Sequence, residues 1–193
     1  MSFNLLFICH EATRTGAPKI LQHVAEYCRD LGDTIYIAIP NSYSEDFLPE
    51  LKSVAKVIKT WEAQPSDYPE EIDLIYSNTI TNGEYVSSLP YKNVPVVTHV
   101  HELTNTIRFY GRMNFDLVYR HTNSYIACSQ AVANHLINNF AINSQSVETI
   151  PTFVDPEEIE RKSKDEIDNG NVDVAVFHED NTIIVGAGWA SFR

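Results

Sequence analysis

The sequence has few cysteines, few basic residues and no long apolar run. Cys9, Cys28 and Cys128 are odd in number and far apart, so we expect reduced thiols in a cytosolic protein. The sequence has 14 Lys and Arg against 26 Asp and Glu, which gives a formal net charge of −12. Because no basic stripe is present either, nucleic acid or anionic lipid is disfavoured as the main partner. No apolar stretch is as long as a membrane span, and the start shows neither a basic leader nor a cleavage site. We therefore expect a soluble cytoplasmic protein.

Two familiar nucleotide-binding motifs are also missing. Neither GxGxxG nor a Walker loop follows the first apolar run, and residues 35–39 do not end in an acid placed to bind a ribose. These absences disfavour an NAD(P)-dependent oxidoreductase.

The first 32 residues form the most informative stretch that is present. Residues 3–9 (FNLLFIC) are a short, continuous apolar run, which is typical of a fully buried strand. A loop over residues 10–18 leads into a helical pattern that ends at Leu31, with Gly32 where a left-handed cap is expected. One face of that helix is predicted to be apolar: Ile20, Leu21, Val24, Ala25, Cys28 and Leu31.

Gly16 lies near the entrance of this predicted helix. Unpaired backbone N–H groups and the positive end of the helix dipole meet there, at the carboxyl end of the first strand, where parallel sheets bind anionic groups. Small residues and Arg14 suit a phosphate. A turn glycine without a ligand remains the alternative interpretation.

The rest of the chain alternates strand and helix patterns. Strands are predicted over residues 34–39, 54–59, 73–76, 94–100, 124–128 and 147–150, and helices over 45–54, 82–89 and 130–140. Residues 61–71 are expected to form a surface loop, and residues 101–121 two helices broken near Gly111. Seven strands alternating with helices predict an α/β class, with a doubly wound, mostly parallel sheet covered by helices on both faces.

The composition changes after Pro151. Residues 155–180 contain ten acids and three bases, without the spacing of a calcium loop, so we expect a solvated linker or helix face there. Residues 182–188 (TIIVGAG) then have the pattern of a buried strand. Its unpaired backbone predicts that residues 182–190 dock on the edge of their own sheet or pair with a second copy, giving a homodimer.

Polar residues follow several predicted strands at the edge where ligands collect. The predicted substrate-binding residues are Thr15, Gly16, Ala17, Asn78, Thr79, His99, Glu102 and Ser129. Ser129 is also a good N-cap for the helix after it. The two-residue spacing of His99 and His101 places both imidazoles on one side of a strand. That pattern fits a hydrogen-bonding or acid–base role or a structural role better than a metal site, since no third ligand is near in sequence.

Six segments, taken in order, resemble a known family. They are LLFICHEATRTGAPKIL, DLIYSNT, VPVVTHVHEL, YIACSQAVANHLI, IPTFVD and VGAGWASFR. Together they resemble the amino-terminal half of a family-4-like glycosyltransferase of GT-B architecture. One departure is that Thr152 and Phe153 stand where the family has Asn-Gly in its IPNGVD-type segment.

The resemblance implies two Rossmann-like domains facing a cleft. The amino-terminal domain takes mainly the acceptor and the carboxy-terminal domain the nucleotide-sugar, and transfer is retaining and needs no metal or other cofactor. In that picture the Gly16 loop approaches the donor diphosphate and the acceptor. His101 matches the family histidine near the transferred sugar, which makes it the predicted catalytic residue.

The resemblance also predicts the domain organisation. Residues 1–153 would be the acceptor-side domain, 154–181 an acidic linker, and 182–193 the first strand of a truncated donor-side domain. The donor-side charges that neutralise the leaving diphosphate are not in this sequence, so we expect a fragment that is inactive without its carboxy-terminal domain in cis. The full-length protein is expected to be a hexosyltransferase-like enzyme.

The expected partners of the full-length protein are a nucleotide-sugar donor and a glycan or lipid-linked acceptor. A cytoplasmic location, peripheral to the inner face of the membrane, is compatible with these partners. The alternative is a free-standing Rossmann-like module that binds a nucleotide or phosphate without catalysis.

Overall fold

The computed structural model of the chain describes residues 2–163. By internal contacts the chain divides into two units, Met1–Phe153 and Val154–Arg193. The predicted strand over residues 182–193, the homodimer through residues 182–190 and most of the acidic linker lie outside the described residues. The domain boundaries therefore stay predictions.

The first unit contains one sheet of seven strands. The strands are β1 (Asn4–Cys9), β2 (Thr34–Ile39), β3 (Lys56–Lys59), β4 (Leu74–Asn78), β5 (Val96–Val100), β6 (Ser124–Ala127) and β7 (Val147–Thr149). The helices of this unit are α1 (Gly16–Asp30), α2 (Leu48–Val54), α3 (Gly83–Ser88), α4 (Thr104–His121) and α5 (Gln130–Phe140). Short 3-10 turns over Pro65–Asp67, Ile80–Asn82 and Ser144–Ser146 complete it.

All neighbouring strands are parallel, in the order β3-β2-β1-β4-β5-β6-β7. The order reverses between β1 and β4, where Phe7 pairs with Ile37 on one side and with Tyr76 on the other. A ligand crevice forms at such a reversal, outside the carboxyl ends of the strands. The predicted α/β doubly wound, Rossmann-like sheet is confirmed, and it is entirely parallel.

Helices cover both faces of the sheet, as alternating apolar side chains require. On one face the core contains side chains of α1 and α2, including Leu21 and Leu51, packed on β1 and β2. On the other face Val86 of α3 packs near Leu6 and Ile8 of β1, and α4 and α5 enclose a third apolar cluster with β5 and β6. The β1 strand contributes to both faces and is buried over Leu5–Cys9, which is why it has no polar alternation.

One predicted helical region differs in the structure. The prediction of two helices broken near Gly111 is wrong, because α4 runs unbroken over Thr104–His121. A glycine inside a helix costs roughly 1 kcal/mol, and here burial of Ile107, Phe115 and Val118 on one face of α4 outweighs that cost.

Some helix boundaries also differ from the predictions. Leu31, expected on the buried face of α1, is instead the C-cap residue and is 65% exposed. The next residue, Gly32, has φ +100°, so the left-handed cap is confirmed. The helix predicted over residues 45–54 begins only at Leu48.

In the second unit the described residues form α6 (Pro156–Ser163), at the start of the predicted acidic linker. The Asp155 carboxylate accepts the backbone N–H of Glu157 at 2.9 Å, which is a typical N-terminal cap. Among the helices that the structure describes, none combines the length and the apolar character needed to cross a bilayer.

Candidate functional site

The side chain of Asn78 connects three elements at the carboxyl edge of the sheet. Asn78 is the last residue of β4 and is fully buried. Its Nδ2 donates to the backbone carbonyl of Ala17 in α1 at 2.9 Å, and its Oδ1 lies 3.0 Å from Nε2 of His101. The predicted residues of the first, fourth and fifth strands are therefore brought together around one amide.

His99 and His101 lie side by side at the end of β5. Their ring centroids are 4.1 Å apart, and Nδ1 of His99 is 2.5 Å from the Tyr76 hydroxyl. Burial, and then the neighbouring His101, lower the pKa of His99 to about 3. Burial, and then the nearby His10, lower the pKa of His101 to about 4. Both rings are neutral at pH 7.

Glu102 binds backbone groups rather than open solvent. Its Oε2 accepts the N–H of His101 at 3.0 Å and that of Ile80 at 3.3 Å. Burial raises the pKa of this carboxyl, and the backbone hydrogen bonds oppose that shift. Glu102 thus ties the segment after β5 to the turn after β4, which is a structural contribution to the site.

The amino terminus of α1 lies beside this cluster. Thr15 is the N-cap residue in an extended conformation, and its side chain does not cap the helix. The first backbone N–H groups of a helix have no intrahelical partner. A Cβ atom built on Gly16 would meet nothing within 4 Å, so the space in front of the helix start is open. This arrangement suits an anion.

Arg14, which the sequence analysis considered as a phosphate-binding residue, forms an ion pair within the protein. Its Nη2 lies 2.7 Å from Oε1 of Glu50 in α2. The backbone N–H groups at the start of α1 contribute positive potential there independently of Arg14.

A short polar chain next to α1 joins the predicted residue Thr15 to three residues that were not predicted: His10, Glu11 and Thr13. Nε2 of His10 lies 3.3 Å from Oε1 of Glu11, and the same carboxylate oxygen accepts the Thr13 hydroxyl at 2.9 Å. The Thr13 hydroxyl in turn lies 3.0 Å from that of Thr15. The contact with His10 is the main cause of the lowered pKa of Glu11. The position of these residues directly after β1 is the signal that could have indicated them.

The turn after β4 is held by two asparagines that no sequence pattern indicated. Nδ2 of Asn82 donates to the carbonyl of Asn78 at 2.8 Å. Asn114 of α4 donates to the carbonyl of Ile80 at 2.7 Å and accepts the N–H of Gly83 at 2.9 Å. These bonds fix the backbone that bears the Asn78 side chain.

Thr79 and Ser129 have local roles in the structure. Thr79 is buried with φ +82°, an unusual conformation for a β-branched residue, and its N–H donates to the carbonyl of His99 at 2.9 Å. The Ser129 hydroxyl accepts the N–H of Val132 at 3.3 Å, so the predicted N-cap is confirmed. Within the described part of the chain Ser129 makes no hydrogen bond to Asn78 or His101. The substrate-binding roles of Thr79 and Ser129 stay predictions.

Comparison with known proteins identifies similar chains. The model of Glycosyltransferase Family 4 matches residues 14–158. The solved structure of Anabaena HepE in complex with UDP and glucose has a TM-score of 0.57 at 19% identity, over 83% of this chain and 49% of that one. An α-glucosyltransferase in complex with UDP and a 13-mer DNA containing a HMU base has a TM-score of 0.57 at 13% identity, over 84% of this chain and 45% of that one.

A glycosyltransferase from Rickettsia africae is similar over a comparable length, with a TM-score of 0.50 at 16% identity, over 83% of this chain and 48% of that one. The chain thus spans about half the length of these structures. At such identities the likeness shows the fold, which is that of one Rossmann-like half of a GT-B protein. No curated protein matches this chain.

Proposed function

This chain belongs to glycosyltransferase family 4, and from that premise we propose that it is the acceptor-binding half of a retaining enzyme. The enzyme would transfer a sugar, a hexose in our proposal, from a nucleotide-sugar to a glycan or lipid-linked acceptor. The observation that supports this most directly is the convergence of the α1 start, Asn78 and His101 at the β1/β4 reversal.

The proposed roles follow from the chemistry of each group. Backbone N–H groups of Gly16 and Ala17 suit the donor diphosphate, because they combine unpaired donors with the positive end of the dipole of α1. His101, neutral at pH 7 by the lowering of its pKa to about 4, suits a hydrogen bond to the transferred sugar. The remaining charges for the leaving diphosphate would come from a second Rossmann-like domain in cis, without a metal ion.

The proteins of similar fold support a binding site that this chain forms together with a second half. The HepE and α-glucosyltransferase structures contain UDP, and this chain covers 49% and 45% of them. We propose that this chain binds its nucleotide-sugar together with a second half, so that the present chain is inactive alone.

The test uses the open space in front of Gly16. Gly16→Val adds a branched side chain where a built Cβ meets nothing within 4 Å, so folding should be preserved. We expect wild-type protein joined to its donor-side domain to transfer sugar, and Gly16→Val to reduce kcat/KM by at least about 10²-fold. Asp30→Val is the matched control, because it places the same side chain at the other end of α1, where Asp30 is 63% exposed.

Transfer by Gly16→Val at the wild-type rate would remove the loop from the mechanism. Saturable binding of UDP to the 193-residue chain, with no transfer in the two-domain protein, would support the alternative of a nucleotide- or phosphate-binding module without catalysis.

A further inference from the structure

The geometry around Asn78 points to a role beyond holding two segments together. We propose that Asn78 is a positioning residue that fixes His101 in the tautomer with the proton on Nε2, so that Nδ1 accepts a hydrogen bond from a sugar hydroxyl. The hydroxyl recognition rests on the proposed function, whereas the tautomer does not.

The orientation of the Asn78 amide follows from its partner in α1. A backbone carbonyl accepts hydrogen bonds and cannot donate, so the atom of Asn78 that lies 2.9 Å from the Ala17 carbonyl must be the NH₂ group. The flipped amide would place two oxygen atoms at that distance. The oxygen of the amide therefore faces His101.

The tautomer of His101 follows from the same step. Because Oδ1 of Asn78 only accepts, the Nε2 atom at 3.0 Å from it must carry a hydrogen. In a neutral imidazole the other nitrogen is then unprotonated. Nδ1 of His101 has no hydrogen-bond partner among the residues that the structure describes, and it remains an acceptor.

The surroundings favour the neutral ring. The groups near His101 are the neutral His99 ring at 4.1 Å, the His10 imidazole and the Glu102 carboxylate, which binds backbone N–H groups. Asn78 carries no charge, so it stabilises an imidazolium less than a carboxylate would. Burial lowers the pKa of His101 in the same direction.

An acceptor at this point selects the ligand group that can bind there. A hydroxyl donates a hydrogen bond to an unprotonated nitrogen, whereas an ionised diphosphate has only acceptor oxygens and is repelled. The site thus binds two kinds of ligand group at two positions: neutral sugar hydroxyls at His101 and anionic oxygens at the start of α1.

The amide is positioned by bonds within the protein. Asn82 donates to the backbone carbonyl of Asn78 and, at 3.3 Å, to that of Ile8. The next residue, Thr79, is held at φ +82°, a strained conformation that is found where surrounding contacts over-determine the backbone. These contacts orient Asn78 without a ligand.

The decisive experiment is ¹⁵N NMR of histidine-labelled full chain at pH 7. We expect the His101 ring, assigned by the signal lost in His101→Gln, to show a protonated Nε2 and an unprotonated Nδ1. In Asn78→Asp the new carboxylate should favour the His101 ring with both nitrogens protonated. We expect it to raise the midpoint of the His101 titration by about 1–3 pH units. Asn123→Asp is the control, since Asn123 accepts the N–H of Val96 at the amino edge of the sheet and receives the same charge.

A wild-type ring protonated on Nδ1, or equal shifts in Asn78→Asp and Asn123→Asp, would overturn the proposal. In the two-domain enzyme we expect Asn78→Asp to raise KM for the sugar donor about tenfold or more, with a smaller loss when a deoxy-sugar lacks the hydroxyl bound by His101. Absence of any transfer by wild type would contradict the proposed function while the NMR result still decides the tautomer.

Discussion

The imidazole rings of His99 and His101 lie 4.1 Å apart between centroids and are tilted by 34° relative to each other. Burial, and then the neighbouring His101, lower the pKa of His99 to about 3, and burial, and then the nearby His10, lower the pKa of His101 to about 4. An ordinary histidine has a pKa near 6.5. The close contact is therefore compatible with two neutral rings, and protonation at low pH disfavours it.

The first prediction is that folding stability falls as the pH is lowered from about 6.5 to about 4. In that window the unfolded chain binds protons at His99 and His101 that the folded chain does not bind, so the free energy of unfolding decreases by up to about 1.4 kcal/mol per pH unit for each ring. Glu11 acts in the same direction because its pKa is lowered, and Glu102 in the opposite direction because its pKa is raised.

Urea unfolding at several pH values measures this dependence, and two variants isolate His99. His99→Phe and Tyr76→Phe both lose the bond between the Tyr76 hydroxyl and Nδ1 of His99. Only His99→Phe removes the titrating ring, so it alone should flatten the pH dependence. Equal slopes in the two variants would contradict the assignment.

Much of the fold and part of the site were predictable from the sequence. Parallel strands bring their carboxyl ends to one edge, so polar residues after β1, β4 and β5 had to lie close together, and Asn78, Ala17 and His101 do. The contacts of Asn82 and Asn114 were not predictable, because a single asparagine in a helix or turn has no periodic signature. The sequence likewise contains no measure of how far packing of α4 outweighs the cost of Gly111.

The second prediction concerns the close approach of α3 to α4. A Cβ built on Gly83 would lie 2.4 Å from the backbone oxygen and 2.7 Å from Oδ1 of Asn114. Since backbone must move to admit a methyl group, we expect Gly83→Ala to lower the free energy of unfolding by about 1–3 kcal/mol.

Gly16→Ala is the matched control for the Gly83 variant. Its new methyl group enters open space at the start of α1, and alanine favours helix, so stability should be unchanged or rise by up to about 1 kcal/mol. Denaturant unfolding compares the two variants. Equal stability of Gly83→Ala and Gly16→Ala would contradict the close contact between α3 and α4.

The third prediction tests Asn114 itself. Asn114→Ala leaves the carbonyl of Ile80 and the N–H of Gly83 without their side-chain partner in a buried setting, at a cost of about 1–3 kcal/mol for each unsatisfied group. Asn134→Ala on the exposed side of α5, where the Asn134 Oδ1 accepts a hydrogen bond from Gln130 at 3.0 Å, should change stability by less than about 0.5 kcal/mol. Thermal unfolding that ranks the two variants equally would argue against a stabilising role of the Asn114 side chain.

The fourth prediction concerns the thiol of Cys9, the last residue of β1. Its Sγ donates to the carbonyl of Glu11 at 3.0 Å, and burial raises its pKa to about 12. A pKa near 12 in place of the ordinary value near 8.5 reduces the thiolate fraction at pH 8 about 10³-fold. Alkylation of Cys9 in the native protein should therefore be slower than in urea by at least that factor, because access is also blocked.

Two double variants separate the cysteines in that experiment. Cys28→Ser with Cys128→Ser leaves Cys9 as the labelled residue, and Cys9→Ser with Cys28→Ser leaves the half-buried Cys128. We expect iodoacetamide at pH 8, followed by mass spectrometry, to modify native Cys128 and to leave native Cys9 unmodified on the same timescale. Comparable rates for both would show that the carboxyl end of β1 opens readily, which is incompatible with a rigid β1 edge beside Asn78 and the start of α1.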